Sequence, residues 1–220
     1  MDRYRDILRE TPLFAGIAEK ELPLMLKCLN GFVRCYQKGE YISIEKEEVK
    51  NVGVVLKGAV DMMKEDVWGN STILVRIPPR KLFGETFACS EDSSAEVTFC
   101  AARDTEVLFL PFARVMRSCN NSCVFHHRLI ENMVKLIAGK NRELMEKIEV
   151  ITRKSLREKI LSYLSHQAQS QGTRYFEIPL GRAELADYLC ADRSALTREL
   201  NTLRDEGILD YDRNVFQLMK

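Results

Sequence analysis

The sequence lacks the features that mark membrane-spanning, secreted and strongly basic proteins. Its 220 residues contain no apolar run close to the roughly 18 residues that a membrane helix needs. Residues 1–10 are charged and amphipathic, which is not typical of a secretory signal. Seven cysteines without such a signal are expected to stay reduced, so we expect a cytoplasmic protein with no membrane partner. Because the formal net charge is only +1, any contact with nucleic-acid phosphates should depend on a few well-placed arginines.

Histidine, the side chain most often used in acid–base catalysis, is also scarce. It occurs only at His126, His127 and His166. None of the three lies near a nucleophile elbow or a phosphate-binding loop. The sequence therefore predicts that the protein is not an enzyme.

Residues 180–209 contain two short amphipathic helices joined by a tight turn. The first helix has an apolar stripe at helical spacing, formed by Leu185, Ala186 and Leu189. The second helix has a similar stripe, formed by Leu196, Leu200 and Leu203. Asp192 is placed to cap the second helix, and Gly207 is placed to end it in a left-handed turn.

Polar and basic side chains lie away from these apolar stripes. They are the candidate DNA contacts: Arg182, Arg193, Ser194, Thr197, Arg198 and Asn201. Short strands at 208–211 and 215–218 would follow as a small wing. This order is typical of a winged helix-turn-helix whose second helix enters the major groove of DNA. A helical hairpin with a solvated charged face is the alternative.

The N-terminal half has a different sequence pattern, because glycine or proline interrupts its apolar runs at short intervals. The runs 52–56, 73–77 and 107–110 predict strands. Many short strands favour a β-barrel or jelly roll. Such a barrel can enclose one small ligand, although a packed interior fits the pattern equally well.

A long helix is predicted between the two halves, over Val124–Ile151. Its apolar residues recur at close to heptad spacing, and the candidate dimer contacts are Ile130, Met133, Ile137, Leu144, Ile148 and Ile151. The seam is interrupted by Lys140 and Asn141, and polar residues there can fix the register of a coiled coil. A helix packed on its own β-domain is the alternative. A homodimer on a near-palindromic operator is favoured because helix-turn-helix proteins commonly bind two half-sites.

Taken in this order, the whole chain resembles the Crp/Fnr superfamily of bacterial transcription regulators. The resemblance rests on KGE at 38–40, VVLKGAV at 54–60, FGE at 83–85, KNREL at 140–144 and RAELADYLCADRSALTREL at 182–200. The last block is the most specific. The resemblance implies an α+β chain with a cyclic-nucleotide-binding-like β-roll over 1–123, a dimerisation helix over 124–151 and a winged helix-turn-helix over 152–220. It also implies double-stranded DNA as a partner, and RNA polymerase as another if the protein activates transcription.

By the same resemblance, Arg193, Ser194 and Arg198 fall at the recognition-helix contacts. Arg198 is the candidate for bidentate contact with guanine O6 and N7. Ser194 stands where many members carry glutamate, so the preferred half-site should depart from the commonest one. Cys190 stands where the family turn usually has glycine, and a positive φ there would cost about 1 kcal/mol.

The signal that controls the protein is not identified by the sequence. The effector-pocket candidates are Phe83, Gly84, Glu85, Ser93 and Ser94. In cyclic-AMP-binding relatives the FGE motif is followed by an Arg-Ser pair that binds the cyclic phosphate. Here the corresponding Ser93-Ser94 pair has no arginine, and Arg103 is too far along the chain. Since each lost charge-assisted hydrogen bond is worth about 1.5–3 kcal/mol, cyclic AMP is not expected to bind.

Cysteine chemistry offers a second kind of signal. Cys119, Cys123 and His126 would share a helix face if their segment is helical, and could then bind zinc or haem iron. Burial of the cysteines in a packed helix is the competing interpretation. An iron–sulfur cluster is not expected, because the first cysteine is Cys28 and the N-terminal cysteine cluster of the iron–sulfur members is absent.

These observations predict a homodimeric DNA-binding transcription regulator controlled by a small-molecule or redox signal. A haem- or metal-dependent redox or gas sensor is one alternative. A non-DNA-binding interaction module, in which the winged helix docks on protein, is another.

Overall fold

The computed structural model describes residues 2–117 and 124–219. Contacts within the chain divide it into an N-terminal unit, residues 1–137, and a C-terminal unit, residues 138–220. The boundary falls inside the long helix, so the first half of that helix belongs to the N-terminal unit and the second half to the C-terminal unit. The domain limits predicted from the sequence, 1–123, 124–151 and 152–220, were drawn by expected role rather than by contacts. They stay a prediction.

Short antiparallel strands form two four-stranded sheets in the N-terminal unit. The strands are β1 Phe32–Tyr36, β2 Tyr41–Ser43, β3 Asn51–Lys57, β4 Val60–Glu65, β5 Ser71–Ile77, β6 Leu82–Phe83, β7 Thr98–Ala101 and β8 Thr105–Pro111. The strand order is β1-β8-β3-β6 in one sheet and β2-β7-β4-β5 in the other. The three runs predicted as strands lie within β3, β5 and β8, and the expected jelly-roll-like β-domain is confirmed.

Alternation along the strands gives the first sheet two different buried faces. Phe109 and Val107 of β8 join Phe99 of β7 in a core shared by the two sheets. Leu108 and Leu110 of the same strand point the other way, into a second core under the helices. This follows from the two-residue side-chain period of a strand.

Helices cover the second face of this sheet. They are α1 Arg5–Glu10, α2 Leu22–Cys28, α3 Glu85–Ala88, α4 Phe112–Met116 and α5 Val124–Ile151. Leu129 and Met133 of α5 are buried in the core under the helices. The buried amide of Asn132 donates to the backbone oxygens of Leu13, at 2.9 Å, and Ala15, at 2.8 Å. The first half of α5 is therefore part of the N-terminal unit.

The C-terminal unit is a three-helix core with a small sheet. Its elements after α5 are α6 Leu156–Gln171, β9 Tyr175–Glu177, α7 Arg182–Tyr188, α8 Arg193–Asp205, β10 Leu209–Asp212 and β11 Val215–Leu218. The sheet order is β10-β11-β9. Both predicted leucine stripes are buried in one core with Phe216. Gly207 follows the cap residue Glu206 of α8 and has φ +68°, as predicted for a left-handed helix end.

Among the described helices, none combines the length and the apolar character that a membrane crossing requires.

Candidate DNA-binding surface and effector pocket

Asp192 fixes the N-terminus of α8. Its carboxylate accepts hydrogen bonds from the backbone N–H groups of Ser194, at 2.8 Å, and Ala195, at 3.0 Å, and from the Ser194 hydroxyl, at 2.5 Å. The Ser194 hydroxyl is the largest of the causes that lower the pKa of Asp192 from its ordinary value. The bonds satisfy N–H groups that the first turn of a helix leaves without partners, so the predicted cap is confirmed.

The turn before α8 holds Cys190 in the left-handed region, with φ +51°. The turn is closed by backbone bonds from Cys190 N to Asp187 O, at 3.1 Å, and from Ala191 N to Ala186 O, at 3.0 Å. A side chain at this φ costs roughly 1–2 kcal/mol, because its Cβ approaches the following carbonyl oxygen. The turn therefore has a backbone conformation that suits glycine, although the residue at this position is cysteine.

One side of α8 is buried and the other is open to solvent. Leu196, Leu200 and Leu203 are fully buried. The exposed side, which we name the recognition face, consists of Arg193, Ser194, Thr197 and Arg198. The Thr197 hydroxyl donates to the backbone oxygen of Arg193 at 3.0 Å. The structure thus brings together four of the six predicted DNA contacts on one exposed surface.

The other two predicted contacts, Arg182 and Asn201, lie against the wing formed by β10 and β11. The Arg182 guanidinium lies 4.9 Å from the ring centroid of Tyr211 and donates to the backbone oxygen of Arg213 at 3.2 Å. Burial lowers the pKa of Arg182. The Asn201 Oδ1 atom accepts from the Tyr211 hydroxyl at 2.9 Å and from Arg204 at 3.1 Å.

Tyr211 of β10 belongs to this candidate site, although its sequence position does not single it out. A second guanidinium, that of Arg204, lies 5.3 Å from its ring centroid. The ring therefore contacts cations from both α7 and α8, and its hydroxyl bonds to α8 as well. A tyrosine in a predicted wing strand carries no sequence signal for these contacts, because they depend on how three elements pack.

Two acidic side chains, Glu199 of α8 and Glu206 directly after it, pair with an arginine of the same unit. Arg157 of α6 binds both carboxylate oxygens of Glu206, one of them at 3.0 Å. It also lies 3.6 Å from a carboxylate oxygen of Glu199. These ion pairs reduce the negative potential that an approaching phosphate backbone would meet.

The candidate dimer contacts of α5 differ between its two halves. In the N-terminal unit, Met133 is 2% exposed and is committed to the chain's own core, and Ile130 packs against that core. Ile137, the last residue of that unit, is 38% exposed. In the C-terminal unit, Leu144 and Ile148 are 59% and 56% exposed, and Ile151 is half-buried. Within the N-terminal unit the first half of α5 packs on its own domain, and the dimer contacts of the helix stay a prediction.

The effector candidates do not all meet at one cavity. Phe83 and Gly84 line a cavity of about 170 Å³ between the two sheets of the β-roll, which we name the roll pocket. Glu85 is buried at the start of α3, while Ser93 and Ser94 are half-buried, and these three lie outside the lining. Residues that the sequence analysis did not single out, Arg34 and Tyr36 among them, complete the lining. Arg34 and Tyr36 are two residues apart on β1 and so lie on the same face of that strand, which is the sequence signal that could have identified them.

The residues near Ser93 do not suit a cyclic phosphate. Glu48 bonds to Ser93 and to Lys50, whose ammonium lies 2.7 Å from the Glu48 carboxylate and lowers its pKa. A phosphate at Ser93 would therefore meet a carboxylate rather than an available cation. Arg103 donates to the backbone oxygen of Gly58 at 3.0 Å and is held there.

The metal hypothesis falls mostly on residues that the structure does not describe. Cys119 and Cys123 lie outside the described residues, while His126 is 4% exposed with its ring centroid 5.0 Å from that of Phe125. Within residues 2–117 and 124–219, no three His, Cys, Asp or Glu side chains converge as metal ligands. Cys89 and Cys100 are free thiols, and burial raises the pKa of both, which disfavours the reactive thiolate.

Comparisons with known proteins agree with this architecture. Residues 33–122 match the family described as a cyclic nucleotide-binding domain, and residues 158–219 match the Crp-like helix-turn-helix domain. The chain is 23% identical to the HTH-type transcriptional regulator ArcR of Staphylococcus epidermidis, over 86% of this chain and 81% of ArcR. It is 24% identical to the transcriptional activator protein FnrL of Cereibacter sphaeroides, over 81% and 72% of the two chains. The fold is similar to that of the Thermus thermophilus catabolite activator protein, with a TM-score of 0.54, 23% identity and coverage of 94% and 93%.

Proposed function

Because the chain belongs to the Crp/Fnr superfamily of bacterial transcription regulators, we propose that it works as a cytoplasmic homodimer on a near-palindromic DNA operator. It is a DNA-binding transcription regulator of that type. The observation that carries the proposal is the recognition face, an exposed set of basic and hydroxyl side chains on a helix whose other side is buried. A regulator of this kind needs no catalytic step.

The charged members of the recognition face supply the base contacts. Within the described chain, Arg193 and Arg198 have no ion-pair partner, so their guanidinium groups are available to DNA. Arg198 lies one turn further along α8 than Ser194 and is the residue we assign to bidentate contact with guanine. Ser194 binds the Asp192 cap, so its hydroxyl presents an oxygen acceptor close to the helix start.

Arg182 and Asn201 support binding through the wing. Both side chains are engaged by Tyr211 and its surroundings, so their contribution is to hold the wing beside α8. The wing then sets how closely the phosphate backbone approaches, which positions the protein without reading sequence.

Two copies of the chain bind the two half-sites of the operator, one copy on each. In the proposed dimer, the exposed apolar side chains of α5, Ile137 in one unit and Leu144 and Ile148 in the other, are covered by the same residues of a second copy. RNA polymerase becomes a further partner if the bound dimer activates transcription.

The test is selection from a random duplex library followed by titration with the selected sequence. We expect the wild-type protein to select a near-palindromic sequence. Arg198→Ala should lower affinity for that sequence by about tenfold or more, since a bidentate base contact is worth about 1–3 kcal/mol. Binding to scrambled DNA and the oligomeric state in sedimentation should not change.

Arg174→Ala is the matched control, because Arg174 is an exposed arginine of the same unit outside the recognition face. It should leave the selected sequence preference intact. Retention of that preference by Arg198→Ala would contradict the assignment of Arg198. A wild-type protein that selects no sequence, with an affinity insensitive to salt, would contradict DNA binding itself.

A further inference from the structure

The wing ends in a two-residue turn, Arg213-Asn214, between β10 and β11. The last strand pair before the turn is Asp212 with Val215. Within the turn, Arg213 has a positive φ of +51°. Two-residue hairpin turns usually place glycine, asparagine or aspartate at positive φ, because other side chains crowd the backbone there. The chain thus keeps an arginine at a position where it costs stability, and strained residues of this kind concentrate at functional sites.

The backbone of this turn is held from two sides. The Arg182 guanidinium donates to the backbone oxygen of Arg213 at 3.2 Å, and the backbone N–H of Ile178 donates to the backbone oxygen of Asn214 at 2.9 Å. Arg182 itself lies 4.9 Å from the ring centroid of Tyr211 in the wing. The direction in which the Arg213 side chain leaves the turn is therefore fixed.

The Arg213 side chain has no partner of its own. The residue is exposed, and no hydrogen bond, ion pair or ring contact involves its guanidinium in the part of the chain that the structure describes. It is also the only basic side chain of residues 209–218. Asp210 and Asp212 alternate with Tyr211 along β10, so their carboxylates lie on the face turned away from α7 and α8. The wing therefore offers DNA one cation, at its tip.

The turn lies beside the start of the recognition face. Burial and, to a smaller extent, the charge of Arg193 lower the pKa of Arg182, so these two guanidinium groups are close to each other. Because Arg182 also bonds to the turn, contacts lead from the recognition face to Arg213. A helix in the major groove is flanked by a phosphate backbone, and the minor groove lies beyond it. The wing turn would then face that backbone, and an arginine is long enough to pass it.

We propose that Arg213 enters the minor groove beside each half-site and makes the affinity for DNA depend on the width of that groove. Narrow minor grooves in A·T-rich DNA carry an enhanced negative potential that attracts arginine side chains. A G·C pair instead places the amino group of guanine in the minor groove. The inference rests on the proposed function, to which it adds a specificity-determining residue. A contact with phosphate alone would attract the wing to every flanking sequence equally.

The test is titration of three duplexes that carry the same selected operator and differ only in the pairs that flank its half-sites. The flanks are A·T, G·C or inosine·cytosine pairs. Inosine lacks the minor-groove amino group of guanine but keeps the O6 and N7 atoms that guanine shows in the major groove. We expect the wild type to bind the A·T and inosine·cytosine duplexes about fivefold or more tightly than the G·C duplex.

Two substitutions separate the roles of the side chain. Arg213→Gly should bind all three duplexes alike, with the affinity that the wild type has for the G·C duplex. Because glycine suits a positive φ, this variant should unfold at the wild-type temperature or up to about 4 °C higher, so its loss of affinity is not caused by misfolding. Arg213→Lys keeps the charge on a more strongly hydrated group, so it should retain attraction to DNA but lose most of the preference among flanks.

Arg174→Ala, which removes another exposed arginine of the same unit, is the control and should keep the wild-type preference. The proposal is overturned if the wild type binds A·T and G·C flanks alike, if inosine·cytosine flanks behave like G·C flanks, or if Arg213→Gly keeps the preference. Equal weakening of all three duplexes by Arg213→Gly also overturns it, since that result means a phosphate contact only. If the wild type selects no operator, the proposed function fails and this inference fails with it; if an operator is selected and its flanks have no effect, only this inference fails.

Discussion

At the scale of single residues, Cys190 offers a direct measurement of backbone strain. Its φ of +51° suits glycine, so Cys190→Gly should stabilise the protein by about 1 kcal/mol in urea unfolding. The greater freedom of glycine in the unfolded chain reduces the gain below the full strain. Cys190→Ala is the control: it removes the thiol but keeps a Cβ at positive φ, so it should bring no such gain. Equal stabilisation by both variants would argue against strain as the cause.

Gly53 is the second residue whose substitution has a defined result. Gly53→Ala should destabilise the N-terminal unit by about 1–3 kcal/mol, because its Cβ would lie 2.4 Å from the Phe83 ring inside a packed core. Unfolding in urea measures the change. Gly139→Ala, in α5 with open space around the added methyl, should instead stabilise by up to about 1 kcal/mol. A neutral Gly53→Ala would mean that Phe83 moves aside freely.

The residue scale also shows what local sequence can and cannot reveal. Asp192 was predicted as a cap because capping needs only neighbours two or three residues away. Tyr211 was missed because its partners are Arg182, Asn201 and Arg204, two of them on α8 and one on α7. Its role depends on packing between elements, which spacing does not record.

At the scale of elements, the wing depends on contacts with Arg182. Arg182→Gln removes a guanidinium from the Tyr211 ring, a contact worth about 0.5–2 kcal/mol. Amide hydrogen exchange in β10 and β11 should accelerate roughly two- to thirtyfold, while exchange in α6 stays the same. Arg193→Gln, on the recognition face, should leave wing exchange unchanged. If the wing exchanges alike in both variants, Tyr211 does not hold it through Arg182.

Elements with strong local patterns were predictable, and their pairing was not. The predicted limits of α5 match the structure, and the predicted wing strands differ from β10 and β11 by at most one residue. The runs within β3, β5 and β8 were also recognised as strands. Their places in two separate sheets depend on contacts between distant residues, such as β1 with β8, which a single sequence does not encode in its spacing.

At the scale of the whole molecule, the proposed dimer can be tested on α5. Ile148→Glu should raise the dimer dissociation constant by about a hundredfold or more, because two-fold symmetry places the charge in the interface twice. Analytical ultracentrifugation over a concentration series measures it. Arg142→Glu, about 120° around the helix from Ile148 and outside the apolar seam, should have little effect. Equal dimerisation by Ile148→Glu and the wild type would place the interface elsewhere.

The separation of the two sides of α8 has a consequence for how such a protein diversifies. The side chains of Arg193, Thr197 and Arg198 are exposed, while the leucines behind them are buried and the Tyr211 hydroxyl bonds to α8 beside them. Substitutions at these three positions should therefore change the free energy of unfolding very little. Under the proposed function, a single exchange at one of these positions would change the preferred operator while the N-terminal unit stays as it is.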